Sequence, residues 1–240
     1  LSVHAEDDDY IVKGAPENCC QDHLRNRPVE AEYSALRRLS RFKDKVKINI
    51  CHCTNVPQIE YASELGFTTE VTMHHMMFEA QRHSSSIYKT NPPIRDAATR
   101  DALYECFKAG KITMIGTDHA PHTWNDKMQE YDAAPGGIPG VETTMPMVLE
   151  MVRAGDIPLS LAVSMGAENP GKVFSAPKGR IAVGYDADLL FVDFRKVTEI
   201  DQKNEELAEI AAKIAEIKAT AEAQKAQRKA AAEAERAAAA

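Results

Sequence analysis

The chain has 240 residues, of which 44% are hydrophobic and 27% are charged, a composition typical of one large globular domain with room for appendages. The formal net charge of −7 argues against nucleic acid or an anionic membrane as the main partner. No stretch approaches the roughly 18 apolar residues of a membrane span, and residues 1–5 do not resemble a signal peptide. Five cysteines without a C-x-x-C pattern favour free thiols and a cytoplasmic location.

The first half of the chain alternates apolar runs with amphipathic segments. Apolar runs predict three strands, at residues 1–5, 46–52 and 68–72. Helices are predicted at residues 27–41 and 55–65, whereas residues 19–26 are expected to be irregular. The three strands end at or beside histidines: His4, His52 and the pair His74-His75.

The second half continues this alternation. A helix is predicted over residues 96–109, with Asp96 as its N-cap and Gly110 closing it. A fourth strand at residues 112–115 follows, and a long loop rich in Gly and Pro spans residues 123–140. Two more helices are predicted, at residues 141–154 and 159–168, the second ended by Asn169-Pro170.

Two stretches after residue 175 differ in character. Residues 179–193 predict two short strands around a Gly/Asp turn, and hence a small β appendage over residues 176–200. Residues 201–240 are rich in Ala, Glu and Lys, and begin with a heptad spacing of apolar residues. We predict a helix there, either a solvated, frayed tail or an oligomerisation helix, and the composition also fits an appended or artificial segment.

The alternation over residues 1–175 favours an α/β fold. Strands joined by helical crossovers are parallel. Four such units make half of a (β/α)8 barrel, which typically has about 250 residues. The predicted fold is therefore a partial (β/α)8 barrel, followed by the β appendage and the Ala-rich helical tail.

The motif at residues 116–122, Gly-Thr-Asp-His-Ala-Pro-His, follows the fourth strand directly. Its carboxylate and two imidazoles lie past the C-terminal end of a strand, where parallel α/β proteins bind ligands. Asp118 is able to ligate a metal or move a proton, and His119 and His122 are able to ligate, donate or orient. The plainer alternative is a polar turn in which Asp118 caps the next helix.

Metal-ligand residues recur at the ends of the strands. His4, His52 and Asp118 each follow a different strand, and nitrogen and oxygen ligands of this kind suit zinc. Asp118 is the candidate both for ligation and for proton transfer to a leaving nitrogen. The alternative is that the histidines are core residues satisfied by the backbone. In Cys51-His52-Cys53, alternation along a strand predicts that the imidazole points away from both thiols.

Six motifs occur together in a specific order, at residues 3–7, 51–54, 70–75, 89–95, 116–122 and 137–143. They resemble the dihydroorotases of the amidohydrolase superfamily, especially the bacterial and archaeal type. The most specific part is the Asp-His-Ala-Pro-His run with Asn-Pro-Pro-Ile-Arg upstream. The resemblance covers residues 1 to about 200, and residues 179–193 resemble the superfamily's C-terminal β piece.

The resemblance implies zinc-dependent, reversible hydrolysis of a cyclic amide, in which dihydroorotate and carbamoyl-aspartate interconvert in pyrimidine biosynthesis. It implies one or two zinc ions. His4 and His52 would ligate one ion, and Asp118 would ligate the other and act as general base and acid.

The same resemblance implies a set of substrate contacts. Asn91 and His122 would hold the substrate, and the backbone of Gly136 and Gly137 would contact it. The family's first strand bears His-x-His, a later strand supplies a bridging carboxylate or carboxylated lysine, and an Arg binds the substrate carboxylate, but nothing here matches these. Leu1 begins where the family's fifth strand would be, so the resemblance implies a C-terminal half.

Three explanations follow from the missing ligands. The chain is part of a longer enzyme whose N-terminal half-barrel is separate, or it dimerises, or it is an altered chain without activity. The rival to an enzyme is a non-catalytic structural or interaction protein, since inactive relatives assemble with aspartate transcarbamoylase. A third option is another cyclic amidase acting on a different small molecule.

Overall fold

The computed structural model describes residues 1–196 of the chain. The chain divides into two compact units, Leu1–Leu189 and Leu190–Ala240. The helices and strands below belong to the first unit. In the second unit, the described residues 190–196 contain no helix or strand. The predicted tail helix at residues 201–240 lies outside the described residues.

Four short parallel strands form the sheet in the order β1-β2-β3-β4. They are β1 (Ser2–Val3), β2 (Asn49–Ile50), β3 (Thr68–Val71) and β4 (Met114–Ile115). The register pairs Ser2 with Asn49, Asn49 with Thr68, and Glu70 with Met114. Because parallel neighbours need a crossover connection, the sheet confirms the predicted α/β class.

Helices fill the connections and cover the sheet. The α-helices within residues 1–196 are α1 (Cys20–Asn26), α2 (Val29–Leu39), α3 (Val56–Glu64), α4 (Met73–Met77), α5 (Ala97–Lys108), α6 (Trp124–Lys127), α7 (Val141–Ala154), α8 (Leu159–Val163) and α9 (Asn169–Val173). A π-helical turn, Ser164–Glu168, links α8 to α9. Leu36, Ile59, Leu103 and Val148 bring four of these helices into one core with the sheet. No helix in residues 1–196 is long and apolar enough to cross a membrane.

Local capping chemistry explains two of the helices, α5 and α7, that match their predicted bounds to within one residue. The Asp96 carboxylate accepts a hydrogen bond from the backbone N–H of Thr99 at 3.0 Å and so caps α5. Helix α7 ends at Gly155, whose φ of 83° suits a residue without Cβ. Both capping signals come from residues at the helix end itself, so the sequence alone predicts them.

Three predictions about local structure are wrong. Residues 19–26 are not irregular but contain α1, which is held by the burial of Cys20 and His23 rather than by an apolar stripe. The pair His74-His75 lies buried within α4 and not at the end of a strand. Asn169-Pro170 does not end the helix, because proline in the first turn of α9 needs no N–H donor.

The predicted strands at residues 179–193 are also absent from the structure, which has only turns and extended segments there. The apolar side chains of Ile181 and Val183 are exposed to solvent. A strand requires a neighbour that offers a hydrogen-bonding edge, and an alternating pattern cannot supply one. The predicted domain boundaries at residues 175 and 200 stay a prediction.

Candidate active site

The carboxyl ends of β1 and β2 bring two histidines together. Nδ1 of His4 lies 3.0 Å from Nε2 of His52, and the rings meet edge to face. His52 is buried, whereas the side chain of His4 is 43% exposed. Because β2 ends at Ile50, His52 follows the strand, so the predicted alternation with its neighbouring cysteines does not apply.

Glu6 fixes the tautomer of His4. Its Oε2 accepts hydrogen bonds from Nε2 of His4 at 2.9 Å and from Arg27 at 2.6 Å. Burial acts to raise the pKa of Glu6, but the hydrogen bonds and charges of His4 and Arg27 lower it to about 2. With the proton on Nε2, Nδ1 of His4 is the acceptor in its hydrogen bond with Nε2 of His52. A carboxylate bonded to the outer nitrogen is how proteins orient metal-ligating histidines.

Asp118 follows β4 and lies near the histidine pair. Burial and the charge of His4 lower the pKa of His52, and the carboxylate of Asp118 opposes this shift. The backbones of His52 and Asp118 are both left-handed, with φ of 36° and 43°. Such conformations cost free energy in non-glycine residues and are concentrated at functional sites.

This donor set fits part of a zinc site. Two nitrogens on one tetrahedral zinc lie about 3.3 Å apart, since each Zn–N bond is about 2.0–2.1 Å, and the contact between His4 and His52 measures 3.0 Å. Burial favours the neutral imidazole of His52, which is the state that binds metal. Within residues 1–196, however, no group of three or more His, Cys, Asp or Glu side chains is placed to hold an ion. The shell is therefore incomplete without further ligands.

The other histidines and cysteines near the strand ends lie in or beside the core: His74 and His75 are buried, whereas Cys51 is half-buried. His75 contacts Oγ1 of Thr72 at 2.7 Å and the carbonyl of Pro92 at 3.0 Å. Burial lowers the pKa of His74 to about 3, and its buried Nε2 has no hydrogen-bond partner among the described residues. Burial and the nearby Glu70 raise the pKa of the Cys51 thiol to about 12, which disfavours a thiolate ligand. The alternative of core histidines satisfied by the backbone therefore describes His75 but not His74.

A second cluster contains the four residues implied to contact substrate. Nε2 of His122 donates to the carbonyl of Gly136 at 3.0 Å. Gly136 packs against Asn91, whose Nδ2 would lie 3.0 Å from a Cβ placed on that glycine. Gly137 has φ of 134°, and a Cβ there would lie 2.6 Å from Cβ of Ala120. The backbone at Gly137 therefore approaches the 116–122 motif too closely for a larger residue, whereas Gly136 is in contact with the Asn91 side chain.

His119 orients the loop rather than facing a ligand. Its Nδ1 accepts hydrogen bonds from the backbone N–H groups of Gly140 and Val141, at 3.1 and 3.3 Å. It also forms a parallel β-bridge with Ile138. His119 thus fastens the 116–122 motif to the start of α7. Of the roles predicted for His119, these contacts match that of an orienting residue.

Lys127 holds the loop at residues 123–140 from within. Its Nζ donates to the carbonyls of Lys89, Pro135 and Gly137, at 3.2, 3.0 and 3.0 Å. Burial and the charge of Lys89 lower the pKa of Lys127 to about 8. Sequence reasoning missed this residue, because one lysine in a loop forms no pattern.

A buried ion pair connects the segments that bear the site. Nη2 of Arg95 lies 3.0 Å from Oε2 of Glu32, and both residues are at most 1% exposed. Nε of Arg95 donates to Oγ1 of Thr54 at 2.9 Å, and Nη1 donates to the carbonyl of Arg27 at 2.7 Å. The guanidinium therefore joins the segment after His52 to the residue that binds Glu6.

The match to known families agrees with this geometry. The model of the Amidohydrolase family matches residues 23–226. The chain belongs to the amidohydrolase family. This amidohydrolase is 35% identical over 181 residues to the dihydroorotase of Thermoplasma acidophilum, covering 75% of this chain and 42% of the relative. It is 34% identical over 223 residues to that of Methanosarcina acetivorans, covering 83% and 47%. The predicted resemblance to dihydroorotases is confirmed.

Solved structures of the family share the fold. The amidohydrolase chain superposes on the L-hydantoinase (dihydropyrimidinase) from Arthrobacter aurescens with a TM-score of 0.70 and 26% identity, covering 78% of this chain and 46% of that one. A dihydroorotase from Saccharomyces cerevisiae in complex with 5-fluoroorotic acid gives a TM-score of 0.60 at 17% identity, covering 73% and 50%. In both comparisons, as with the archaeal relatives, this amidohydrolase spans about half of the other chain.

Proposed function

We propose that the chain forms half of the barrel of a dihydroorotase and contributes part of its zinc site. The half is the last four βα units of a (β/α)8 barrel. The parallel order β1-β2-β3-β4 supports this, because it is the order of successive barrel strands. The archaeal relatives support the activity, reversible hydrolysis of dihydroorotate to carbamoyl-aspartate in pyrimidine biosynthesis.

The observation that carries the proposal is the contact between His4 and His52 at the carboxyl ends of β1 and β2. Glu6 sets the tautomer of His4 so that a nitrogen lone pair faces the partner imidazole. Nothing in core packing requires a half-exposed histidine to be held this way. A metal ligand does require it.

In the assembled site, His4 and His52 would hold one zinc ion and Asp118 would ligate another. Bound zinc supplies polarisation of the amide carbonyl and a water of lowered pKa. Asp118 would accept the proton of the attacking water and return it to the ring nitrogen as the C–N bond breaks. Hydroxide and proton are thus both delivered to the amide, and the reverse transfers close the ring.

The second cluster would hold the substrate beside these groups. Asn91 and His122 would hold the substrate, Asn91 by donating hydrogen bonds to a substrate oxygen, and the backbone of Gly136 and Gly137 would contact the ring. The close approach of these four residues supports a shared binding surface. The remaining metal ligands would come from an N-terminal half-barrel or a second copy. The five free cysteines support a reducing compartment such as the cytoplasm.

The test combines this chain with the N-terminal half of the Thermoplasma acidophilum dihydroorotase in the presence of zinc. Gel filtration establishes that the two halves associate, and absorbance at the dihydroorotate band follows hydrolysis. We expect activity only with both halves, and loss of activity in Asp118→Asn and His52→Ala. The control His83→Gln should lose none, because His83 contacts Phe78, Tyr88 and the backbone of Glu79 and neither cluster. An associated, zinc-loaded pair that hydrolyses nothing would refute the proposal, and turnover of dihydrouracil or hydantoin instead would indicate another cyclic amidase.

The second candidate is a non-catalytic dihydroorotase-like interaction protein. The dihydroorotase relatives do not favour it, and the incomplete shell is the one observation on its side. No group of three or more ligands exists among residues 1–196. Aspartate transcarbamoylase is the partner class that this reading predicts. A stable, metal-free oligomer of the chain that gains neither zinc nor activity from the complementary half would favour it.

A further inference from the structure

His23 is a buried histidine whose ring nitrogens face acceptors only. It lies in α1 and is 4% exposed. Its Nδ1 lies 2.7 Å from Oε2 of Glu17. Its Nε2 lies 3.0 Å from the carbonyl of Thr90 and 2.9 Å from Oδ1 of Asn91. Among the described residues, no N–H, O–H or S–H group donates a hydrogen bond to either ring nitrogen of His23.

These contacts determine where the protons are. A carbonyl oxygen accepts only, so Nε2 of His23 must carry a proton to bond Thr90. On its other side, the ring faces the Glu17 carboxylate through Nδ1. Nζ of Lys89 lies 3.6 Å from the same carboxylate oxygen, and Nδ2 of Asn26 donates to the other oxygen at 3.2 Å. The carboxylate is thus held at both oxygens, and it keeps Nε2 of the ring against Thr90 and Asn91.

The proton on Nε2 also determines the orientation of the Asn91 amide. The atom of Asn91 at 2.9 Å from Nε2 has to be its oxygen, because two donors would repel. The Nδ2 group therefore lies on the other side, against Gly136. Asn91 is exposed and lines a cleft of about 360 Å³ together with Gly136, Lys89 and Arg27. Because Gly136 has no side chain, the amide N–H groups stay open to this cleft.

We propose that His23, held in place by Glu17, is a positioning residue that turns the Asn91 amide so that its N–H groups face the cleft and select a substrate oxygen, either a carboxylate or a carbonyl. The inference deepens the proposed function, since it assumes that Asn91 touches substrate. His23 itself acts only through Asn91. The hydrogen bond crosses 68 residues of sequence, which explains why no local motif predicts it.

The first test is spectroscopic and needs no activity. In the full chain labelled with nitrogen-15 histidine, long-range proton–nitrogen spectra distinguish an imidazolium from either neutral tautomer. We expect Nε2 of His23 to carry a proton, with the resonance assigned by His23→Gln. Glu17→Gln should shift the Asn91 side-chain amide signals, whereas the control Glu79→Gln, which removes a carboxylate paired with Arg100, should not. A His23 protonated on Nδ1 alone in the unaltered chain, or Asn91 signals indifferent to Glu17→Gln, would overturn the proposal.

The second test uses the zinc-loaded pair of half-barrels. Loss of a charged hydrogen bond typically weakens binding about tenfold or more. We expect Glu17→Gln and His23→Gln to raise KM for dihydroorotate about tenfold while kcat changes much less, whereas Asp118→Asn lowers kcat. Equal loss of kcat and kcat/KM in Glu17→Gln would contradict a positioning role. If no pair hydrolyses dihydroorotate, the proposed function fails, and the spectra still decide the state of His23 and Asn91.

Discussion

Replacing Arg95 by Met tests whether the buried ion pair beneath the site holds its segments together. The substitution keeps an unbranched side chain but removes the ion pair with Glu32 and the hydrogen bonds to Thr54 and to the carbonyl of Arg27. Burial already acts to raise the pKa of Glu32, and the charge of Arg95 opposes it. Without Arg95, the carboxylate is buried unpaired or has to take up a proton.

The expected loss is large. Removing one partner of a buried ion pair typically costs about 3–5 kcal/mol, because the other charge is left uncompensated. We expect Arg95→Met to lower the free energy of unfolding by about 4 kcal/mol. The double variant Glu32→Gln with Arg95→Met should lose less than the sum of the two single variants, since it leaves no buried charge.

Urea unfolding followed by far-ultraviolet circular dichroism measures these differences. Arg153→Met is the matched control, because its partner Glu150 and the arginine itself are both more than half exposed. An exposed pair of this kind is worth about 0–1 kcal/mol. A loss below about 1 kcal/mol in Arg95→Met, or a loss equal to that of the control, would refute the reasoning.

Three further predictions concern stability. The folded pKa of His74 is about 3 against an ordinary value of 6.5, so the unfolded chain binds more protons and stability falls as pH drops below 6.5. The share due to His74 should reach about 2 kcal/mol at pH 5, and His75, whose pKa is also lowered by burial, adds to it. A flat urea midpoint between pH 8 and 5 would contradict this prediction. Gly137→Ala should cost about 1–3 kcal/mol in thermal unfolding, because φ is 134° and the new Cβ would meet Ala120. Asp96→Ala should cost about 1 kcal/mol through loss of the cap on α5, and an unchanged melting temperature would count against that cap.

The sequence contains the parts of the fold that depend on local chemistry. Asp96 and Gly155 mark helix ends because capping acts within one turn, and both ends are predictable. Short apolar runs identify all four strands, although only two to four residues of each pair with a neighbour. Helix α1 is missed because its stability comes from the burial of His23 and Cys20 rather than from an apolar period.

The features of the candidate site also fall into those that the local sequence identifies and those that it does not. His4, His52 and Asp118 are identifiable because each residue type follows a strand end, where parallel strands place ligands. The contacts that support the two clusters are not identifiable, because Arg27 binds Glu6 and His23 bonds Asn91 across long separations in sequence. Donor and acceptor chemistry becomes visible only when the chain has folded.

Zinc retention tests the central claim most directly. Zinc per chain is measured by mass spectrometry after gel filtration, for the chain alone and for the pair with the complementary half-barrel. We predict little retained zinc for the chain alone, at least one ion per assembled pair, and loss of that ion in His4→Ala and His52→Ala but not in His83→Gln. Assembled pairs that retain as much zinc without His4 and His52 as with them would contradict the account.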